Sequence, residues 1–309
     1  TLHQDEFNSL PASSLDELCA DFLKAEEISD HICKELGAVN IPISENGAGR
    51  AKINPGVQHR IYGYEAVFGK EAVERLIKIS GIHLHLDQYK PRLGDQFNAL
   101  TALRPIIALT STSPISHQGE NSANCHRYKI FADPNYGVFA AVPEEIKYIS
   151  RIEDLMARDK RRHETWVKRF EAGKGKVKDL PPNYDFCEAF PRERTGYPDI
   201  RYRPDMGTGT FEMRINDTAP LDIVLAQAGL VLGYANKIML NNIPVEIAKE
   251  DGAYQFDRER IILPAEETLG RITAQAIAHG LEKPLVRAYL RAIEEFAKEG
   301  LPRKEQHYL

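Results

Sequence analysis

Two short stretches of the chain alternate strictly between apolar and polar residues, and this alternation constrains the fold more than any other feature. The first stretch is residues 80–87, S-G-I-H-L-H-L-D, and the second is residues 210–216, T-F-E-M-R-I-N. A period of two residues is typical of a β-strand that turns one face to a core and the other face outward. The sequence therefore predicts two half-buried strands.

The polar faces of these strands carry groups that bind metal ions and phosphates. His83 and His85 lie two residues apart on the first strand, and Glu212 and Arg214 lie two residues apart on the second, with Asn216 expected on the same side. Carboxylates ligate hard cations, and a guanidinium binds phosphate through paired hydrogen bonds. An ordinary half-buried strand turns mixed surface residues to water, so this composition favours a binding site.

A third segment, residues 199–203, adds three more charged groups. Asp199, Arg201 and Arg203 alternate with apolar residues and are expected on one side of a strand. If the three strands share a sheet, their polar faces form one metal and phosphate site. The alternative for Glu212 and Arg214 is an ordinary ion pair with a neighbouring strand, which is a common device in sheets.

Helical periodicity accounts for much of the remaining chain. Ser14 has the spacing of an N-cap, with Glu17 three residues later, and Pro105 is expected to interrupt a helix. Trp166 is expected in a helix core. No shift in composition marks a domain boundary, so residues 1–309 are predicted to form a single domain. The predicted helices span residues 14–36, 62–79, 95–111, 144–170 and 221–240, and residues 266–299 are predicted to hold one or two more.

The composition is that of an ordinary globular protein. The net charge is −5, from 40 basic and 45 acidic residues, which argues against non-specific nucleic-acid binding as the main task. No run of about 18 apolar residues and no signal peptide is recognisable, so no membrane partner is expected. The four cysteines are scattered without a C-x-x-C pair, which predicts reduced thiols in the cytoplasm. They are Cys19, Cys33, Cys125 and Cys187.

Three ordered motifs resemble one family. S-G-I-H-L-H at 80–85 is similar to the G-x-H-x-H strand of the type 2 glutamate–cysteine ligases, also called carboxylate–amine ligases, in the glutamine synthetase superfamily. A-L-T-S-T-S-P at 108–114, followed by Gly119 and Arg127, resembles a second family segment. D-I-R at 199–201 with G-T-F-E-M-R-I-N-D at 209–217 resembles a third.

The resemblance implies an α+β catalytic domain of the glutamine synthetase type. Its antiparallel sheet would have helices packed on one face and an open catalytic face for ATP and substrate. The implied reaction joins a carboxylate, often the γ-carboxylate of glutamate, to an amine with ATP and Mg²⁺ or Mn²⁺. Implied partners are therefore a small carboxylic acid and an amine acceptor, and the oligomeric state stays open, a homo-oligomer included.

The resemblance also implies roles for individual residues. Metal ligands would be Glu212 and His83, with Glu6 as a further candidate. The phosphates of ATP would be bound by His85, Arg201 and Arg127, and Arg214 would hold the acyl group. The residues expected to act in catalysis are Arg201, Arg214 and Arg127.

The sequence departs from the family pattern at several places. Nothing before Glu6 matches the family's opening G-x-E-x-E strand, whose carboxylates supply metal ligands. Asp87 and Gln88 stand where the family usually has glycine, and residues 254–258 match its aromatic and arginine-rich segment poorly. These departures predict an incomplete metal site and an altered adenine pocket.

Two rival functions follow from the same residues. The missing acidic strand is consistent with a relative that has lost ligase chemistry and binds a nucleotide or an amino acid. A metal-dependent hydrolase could instead use His83, His85 and Glu212, although no further histidine or aspartate at ligand spacing supports it.

Overall fold

A computed structural model describes residues 8–39, 56, 58–110, 127–128 and 147–309, and it has mixed α+β architecture. The strands are β1 Ile82–Asp87, β2 Ile200–Arg203, β3 Thr210–Asn216, β4 Val245–Ile247, β5 Gln255–Phe256 and β6 Ile261–Leu263. The α-helices are α1 Leu15–Glu35, α2 Gln58–Phe68, α3 Lys70–Leu76, α4 Leu93–Ala102, α5 Ile152–Gly173, α6 Phe186–Ala189, α7 Leu221–Leu240, α8 Glu266–His279 and α9 Pro284–Lys298.

Helix α1 begins and ends where the sequence predicts. The Ser14 hydroxyl accepts a hydrogen bond from the Glu17 amide at 3.2 Å, so the N-cap is confirmed. The Glu17 carboxylate reaches back to the amide of Ser13 at 2.8 Å rather than to that of Ser14. The helix ends at Glu35, and Gly37 follows with a φ of 64°, a left-handed conformation that favours glycine after a helix.

Two predicted helices are each divided in the structure. Residues 62–79 form α2 and α3, separated by Gly69 with a φ of 88°. The described part of the predicted helix 95–111 forms α4 and a 3₁₀ helix, Arg104–Thr110, and the α-helix ends at Ala102, shortly before Pro105. Proline lacks the N–H that would continue the α-helical ladder, which explains the change of helix type.

The three predicted strands share one antiparallel sheet, in the order β1–β3–β2. Glu212 in the central strand lies opposite His85 of β1 and opposite Arg201 of β2. The register therefore places an imidazole and a guanidinium on either side of one carboxylate. A second sheet of very short strands has the order β4–β6–β5.

A β-bulge interrupts the pairing of β1 with β3. Ile82 lies opposite Asn216, whereas Leu84 lies opposite Met213, so two residues of β3 oppose His83. The extra residue reverses the alternation beyond it. Asn216 is consequently buried, with 0% exposure, and its Oδ1 atom accepts a hydrogen bond from Gln227 of α7 at 3.3 Å. The prediction that Asn216 lies on the polar face is wrong.

The main core lies on the apolar side of the first sheet. Phe211, Met213 and Ile215 of β3 are fully buried and belong to one cluster with side chains of α4, α7 and α9. Among the described residues, only α7 is long and apolar enough to cross a membrane, with a mean hydropathy of 1.5. Polar residues interrupt the apolar residues of α7, so it is not a continuous apolar run, and 67% of its 18-residue apolar segment is buried inside the fold.

A second aromatic cluster joins α2, α5 and α6. Trp166 of α5 is 2% exposed, as predicted for a core residue, and it contacts Phe190 and Tyr197. The Tyr197 ring centroid lies 6.0 Å from the guanidinium carbon of Arg214, on the polar face of the sheet. The expected open face is therefore only partly open, because this cluster reaches it through Tyr197.

Candidate functional site

Glu212 is the centre of a group of charged side chains on the polar face of the sheet. Its Oε2 atom accepts a hydrogen bond from Nη1 of Arg201 at 3.2 Å and lies 3.6 Å from Nη1 of Arg203. Its Oε1 atom contacts Nη1 of Arg214 and lies 3.3 Å from Nδ1 of His83. We call these five residues the Glu212 cluster.

The cluster forms because three strands deliver side chains to one place. Arg201 is the direct cross-strand neighbour of Glu212, and Arg214 follows Glu212 by two residues on the same face. The bulge sets His83 opposite two residues of β3, so its ring can approach the carboxylate. His85 lies beside the cluster, where its Nδ1 atom is 3.2 Å from Oγ1 of Thr210.

Arg127 reaches the cluster from outside the sheet. Its guanidinium donates to the backbone carbonyl of Arg214, and its Nη2 atom lies 3.5 Å from Nε2 of His83. Gly81 makes room for this side chain, since a Cβ atom there would lie 2.5 Å from Nε of Arg127. The backbone amide of Arg127 donates to Asp217 at 3.1 Å, which fixes its position.

The arginine contact also sets the tautomer of His83. A guanidinium can only donate, so Nε2 of His83 is the acceptor and the ring proton lies on Nδ1, facing Glu212. The His83 side chain is 33% exposed, but desolvation by the neighbouring side chains, followed by the charges of Arg214 and Arg127, lowers its pKa from 6.5 to about 2. Burial likewise lowers the pKa of His85. Both imidazoles are therefore neutral at neutral pH.

The charged groups keep their charges at neutral pH. Burial alone raises the pKa of Glu212, but the guanidiniums of Arg214 and Arg201 outweigh it and hold the pKa below 4.5. Burial and then the charge of Arg214 lower the pKa of Arg201 to about 10, so its guanidinium stays protonated.

Positive charge predominates in the site. The guanidiniums of Arg127, Arg201, Arg203 and Arg214 outnumber the single carboxylate of Glu212 by three charges. Among the described residues, Arg203 also pairs with Asp205 at 3.0 Å and Asp217 contacts the backbone amide of Arg127 at 3.1 Å, so two carboxylates at the edge of the site reduce this excess. A partly buried excess of guanidinium groups suits a phosphate or carboxylate ligand, because arginine binds both in a bidentate manner.

The described residues do not fit a magnesium site. Mg²⁺ requires near-octahedral oxygen ligands, with carboxylates supplying its protein ligands. No group of three histidine, cysteine, aspartate or glutamate side chains in the described part of the chain could hold a metal ion. Both oxygens of Glu212 already face guanidiniums. The metal ligands predicted at Glu212 and His83 therefore stay a prediction, and Glu6 lies outside the described residues.

Most of the predicted site residues meet in the structure. His83, Arg201 and Arg214 contact Glu212, Arg127 contacts His83 and Arg214, and His85 lies opposite Glu212 on the neighbouring strand. Their roles with ATP, substrate or metal remain predictions. The motif residues 111–119 and Cys125 lie outside the described residues.

Asp199 is not part of the cluster, although the sequence placed it beside Arg201 and Arg203. Its carboxylate is buried and pairs with the guanidinium of Arg104 in the 3₁₀ helix. Burial of a carboxylate requires such a partner, and Arg104 supplies it from the core. Sequence reasoning missed Tyr197 and Arg104 because neither belongs to a periodic polar face.

Comparison with known proteins identifies no family for the chain. Neither a scan of protein-family models nor a search of curated proteins finds a match. The resemblance to carboxylate–amine ligases therefore stays a prediction from the motif residues.

Proposed function

We propose that this protein is an ATP-dependent carboxylate–amine ligase with a fold of the glutamine synthetase type. It would convert a carboxylate, the γ-carboxylate of glutamate being the first candidate, to an acyl phosphate that an amine attacks. The observation that carries the proposal is the convergence of three guanidiniums and the neutral imidazole of His83 on Glu212, with Arg127 and the neutral imidazole of His85 beside them. The proposed setting is the cytoplasm, with no nucleic-acid or membrane partner.

The chemistry explains why such a reaction needs concentrated positive charge. Amide formation from a free carboxylate is uphill in water, so ATP is consumed to activate it. Phosphoryl transfer is catalysed mostly by positioning and by stabilising negative charge. Arg201, Arg203 and Arg127 would bind the phosphoryl oxygens, and Arg214 would hold the carboxylate being activated. Glu212 keeps the guanidiniums close together at the distances described.

The neutral histidines complete the set of hydrogen-bond donors. A neutral imidazole can donate one proton without adding charge. His85 lies at the level of Glu212 on the neighbouring strand, and its ring is exposed enough to meet a ligand. We assign His85 to the phosphates of ATP and His83 to the support of Glu212 and Arg127. No step is assigned to a metal ion, because the described residues do not form its site.

The test is amine-dependent release of phosphate from ATP. The wild-type protein is incubated with ATP, Mg²⁺ or Mn²⁺, and a panel of acids and amines that includes glutamate, and amide products are identified by mass spectrometry. Removing one oxyanion donor costs about 3 kcal/mol in the transition state. We therefore expect Arg201→Met and Arg214→Met to lower the rate on the order of 100-fold.

The matched control is Arg258→Gln, because Arg258 is an exposed arginine that pairs with Glu299 outside the cluster. Its phosphate release should equal that of the wild-type protein. If the protein binds ATP but releases no phosphate with any acid–amine pair, the proposed ligase activity is refuted.

One observation favours a second candidate, a relative that binds a nucleotide or an amino acid without turnover. The described residues supply no group of three metal-ligating side chains to the site, and guanidiniums engage both oxygens of Glu212. Calorimetric titration with ATP and with glutamate, each with and without Mg²⁺, separates the two. Binding that does not require the metal, together with the absence of phosphate release, supports the binding protein.

A further inference from the structure

Three side chains outside the Glu212 cluster are arranged as a nucleophile, a base and an orienting group. The Sγ atom of Cys187 lies 3.9 Å from Nε2 of His163. The other ring nitrogen of His163, Nδ1, lies 2.9 Å from Oγ1 of Thr195. Cys187 belongs to α6, His163 to α5, and Thr195 to the segment that precedes β2.

The hydrogen bonds of Thr195 determine the tautomer of His163. The threonine hydroxyl has one proton, and that proton is directed to backbone carbonyls, at 2.9 Å from Pro191 O and 3.2 Å from Phe190 O. Thr195 must therefore accept the hydrogen bond that it shares with Nδ1. The ring proton of His163 is on Nδ1, and the lone pair of Nε2 faces the Cys187 thiol.

The surroundings keep this imidazole neutral and the thiol accessible. Burial lowers the pKa of His163, against an opposing effect from Glu193. Arg192 lowers the same pKa and Glu164 raises it. Cys187 is exposed, whereas Cys33 is buried and Cys19 is half-buried. A neutral base beside an exposed thiol is the arrangement that activates a cysteine nucleophile.

We propose that Cys187 is a covalent modification site that reacts with small disulfides, with His163 as the base and Thr195 as the positioning residue. This inference is independent of the proposed ligase activity. Three described thiols are present, and this one combines exposure with an oriented proton acceptor.

The reaction is a thiol–disulfide exchange. Nε2 of His163 takes the proton of Cys187, and the resulting thiolate attacks one sulfur of the small disulfide. An S–S bond forms between Cys187 and that sulfur while the original S–S bond breaks. The second half leaves as a thiolate, which takes up the proton from His163. Cys187 is oxidised to the level of a disulfide, and the departing half is reduced to a thiol.

The test uses the intact, fully reduced protein and dithiobis(nitrobenzoate), whose departing thiolate is coloured. Peptide mass spectrometry after partial reaction identifies which cysteine is modified first. We expect Cys187 to be first and His163→Gln to slow its reaction by tenfold or more, since a positioned base contributes about 100-fold or more. His31→Gln is the matched control, because His31 is an exposed helical histidine.

The role of Thr195 is tested by a pair of variants. Thr195→Val removes the acceptor of the Nδ1 proton and should slow the reaction, whereas Thr195→Ser keeps the hydroxyl and should restore it. If Thr195→Val does not fold, the reaction rates of Cys187 in Thr195→Ser and in His163→Gln still test the proposal. The proposal is overturned if His163→Gln reacts at the wild-type rate, or if Cys19 is modified before Cys187.

Discussion

Replacement of Glu212 by glutamine tests the electrostatic account of the site. The substitution keeps the size and shape of the side chain and removes its negative charge. In the wild-type protein the Glu212 side chain is only 4% exposed and neutralises guanidiniums that are 12–13% exposed. The variant leaves Arg201, Arg203 and Arg214 close together with no carboxylate between them.

The expected destabilisation follows from the loss of a buried charge partner. Removing one member of a buried ion pair costs about 3–5 kcal/mol. The glutamine carbonyl still accepts one hydrogen bond from a guanidinium, so the expected loss in unfolding free energy is at the lower end, about 3 kcal/mol. Inorganic phosphate should restore part of this stability, because an anion can replace the missing charge.

The effect should depend on pH in a defined direction. The folded-state pKa of Glu212 lies below its ordinary value of 4.5, because the guanidiniums outweigh burial. A depressed carboxylate pKa stabilises the folded state above the unfolded-state pKa, and this contribution is lost as the pH falls through the folded-state pKa. The stability difference between wild type and variant should therefore be full at pH 7 and shrink below pH 4.5.

Urea unfolding of both proteins at a series of pH values, with and without phosphate, measures these differences. Arg258→Gln serves again as the surface control, because its pair with Glu299 is exposed. An unfolding free energy of Glu212→Gln equal to that of the wild type at pH 7 would refute the reasoning. A difference in unfolding free energy between wild type and variant that grows as the pH falls would also refute the reasoning.

Three further substitutions test the fold. Gly81→Ala should lower the unfolding free energy by about 1–3 kcal/mol and displace Arg127, seen as weaker phosphate binding by calorimetry. Ser14→Ala should lose about 1 kcal/mol in urea unfolding, because the Glu17 amide loses its cap; an unchanged midpoint would contradict the cap. Phe211→Ala should lose about 3–5 kcal/mol in the same assay, since this core residue is fully buried.

Local patterns predicted much of the sheet and of the site. The strict alternation at residues 82–87 and 210–216 determined both strands and the face on which Glu212 lies, because the side-chain period of a strand is fixed by its pleat. The cap at Ser14 and the break at Pro105 were predictable for the same reason, since each depends on hydrogen bonds within a few residues.

The remaining features depend on contacts between distant segments. The bulge opposite His83 depends on how β1 and β3 pair, which no local pattern encodes. Asp199 has the same local signal as Arg201, but Arg104 from a separate helix takes its carboxylate into the core. The ring of Tyr197 lies beside the guanidinium of Arg214 because the second aromatic cluster packs next to the polar face of the sheet. The periodicity of a sequence describes one helix or strand at a time and does not predict contacts between distant segments.

Because of the bulge, the seven residues of β3 place polar side chains on both faces of the sheet. Its first half places Glu212 and Arg214 on the charged face of the sheet, while Asn216 at its end faces the core and accepts a hydrogen bond from Gln227. Deleting Ile215 would remove the bulge and restore the regular alternation of side chains along β3. Asn216 would then follow Arg214 directly and stay opposite Ile82 on the side of Gln227, while the core would lose the buried side chain of Ile215.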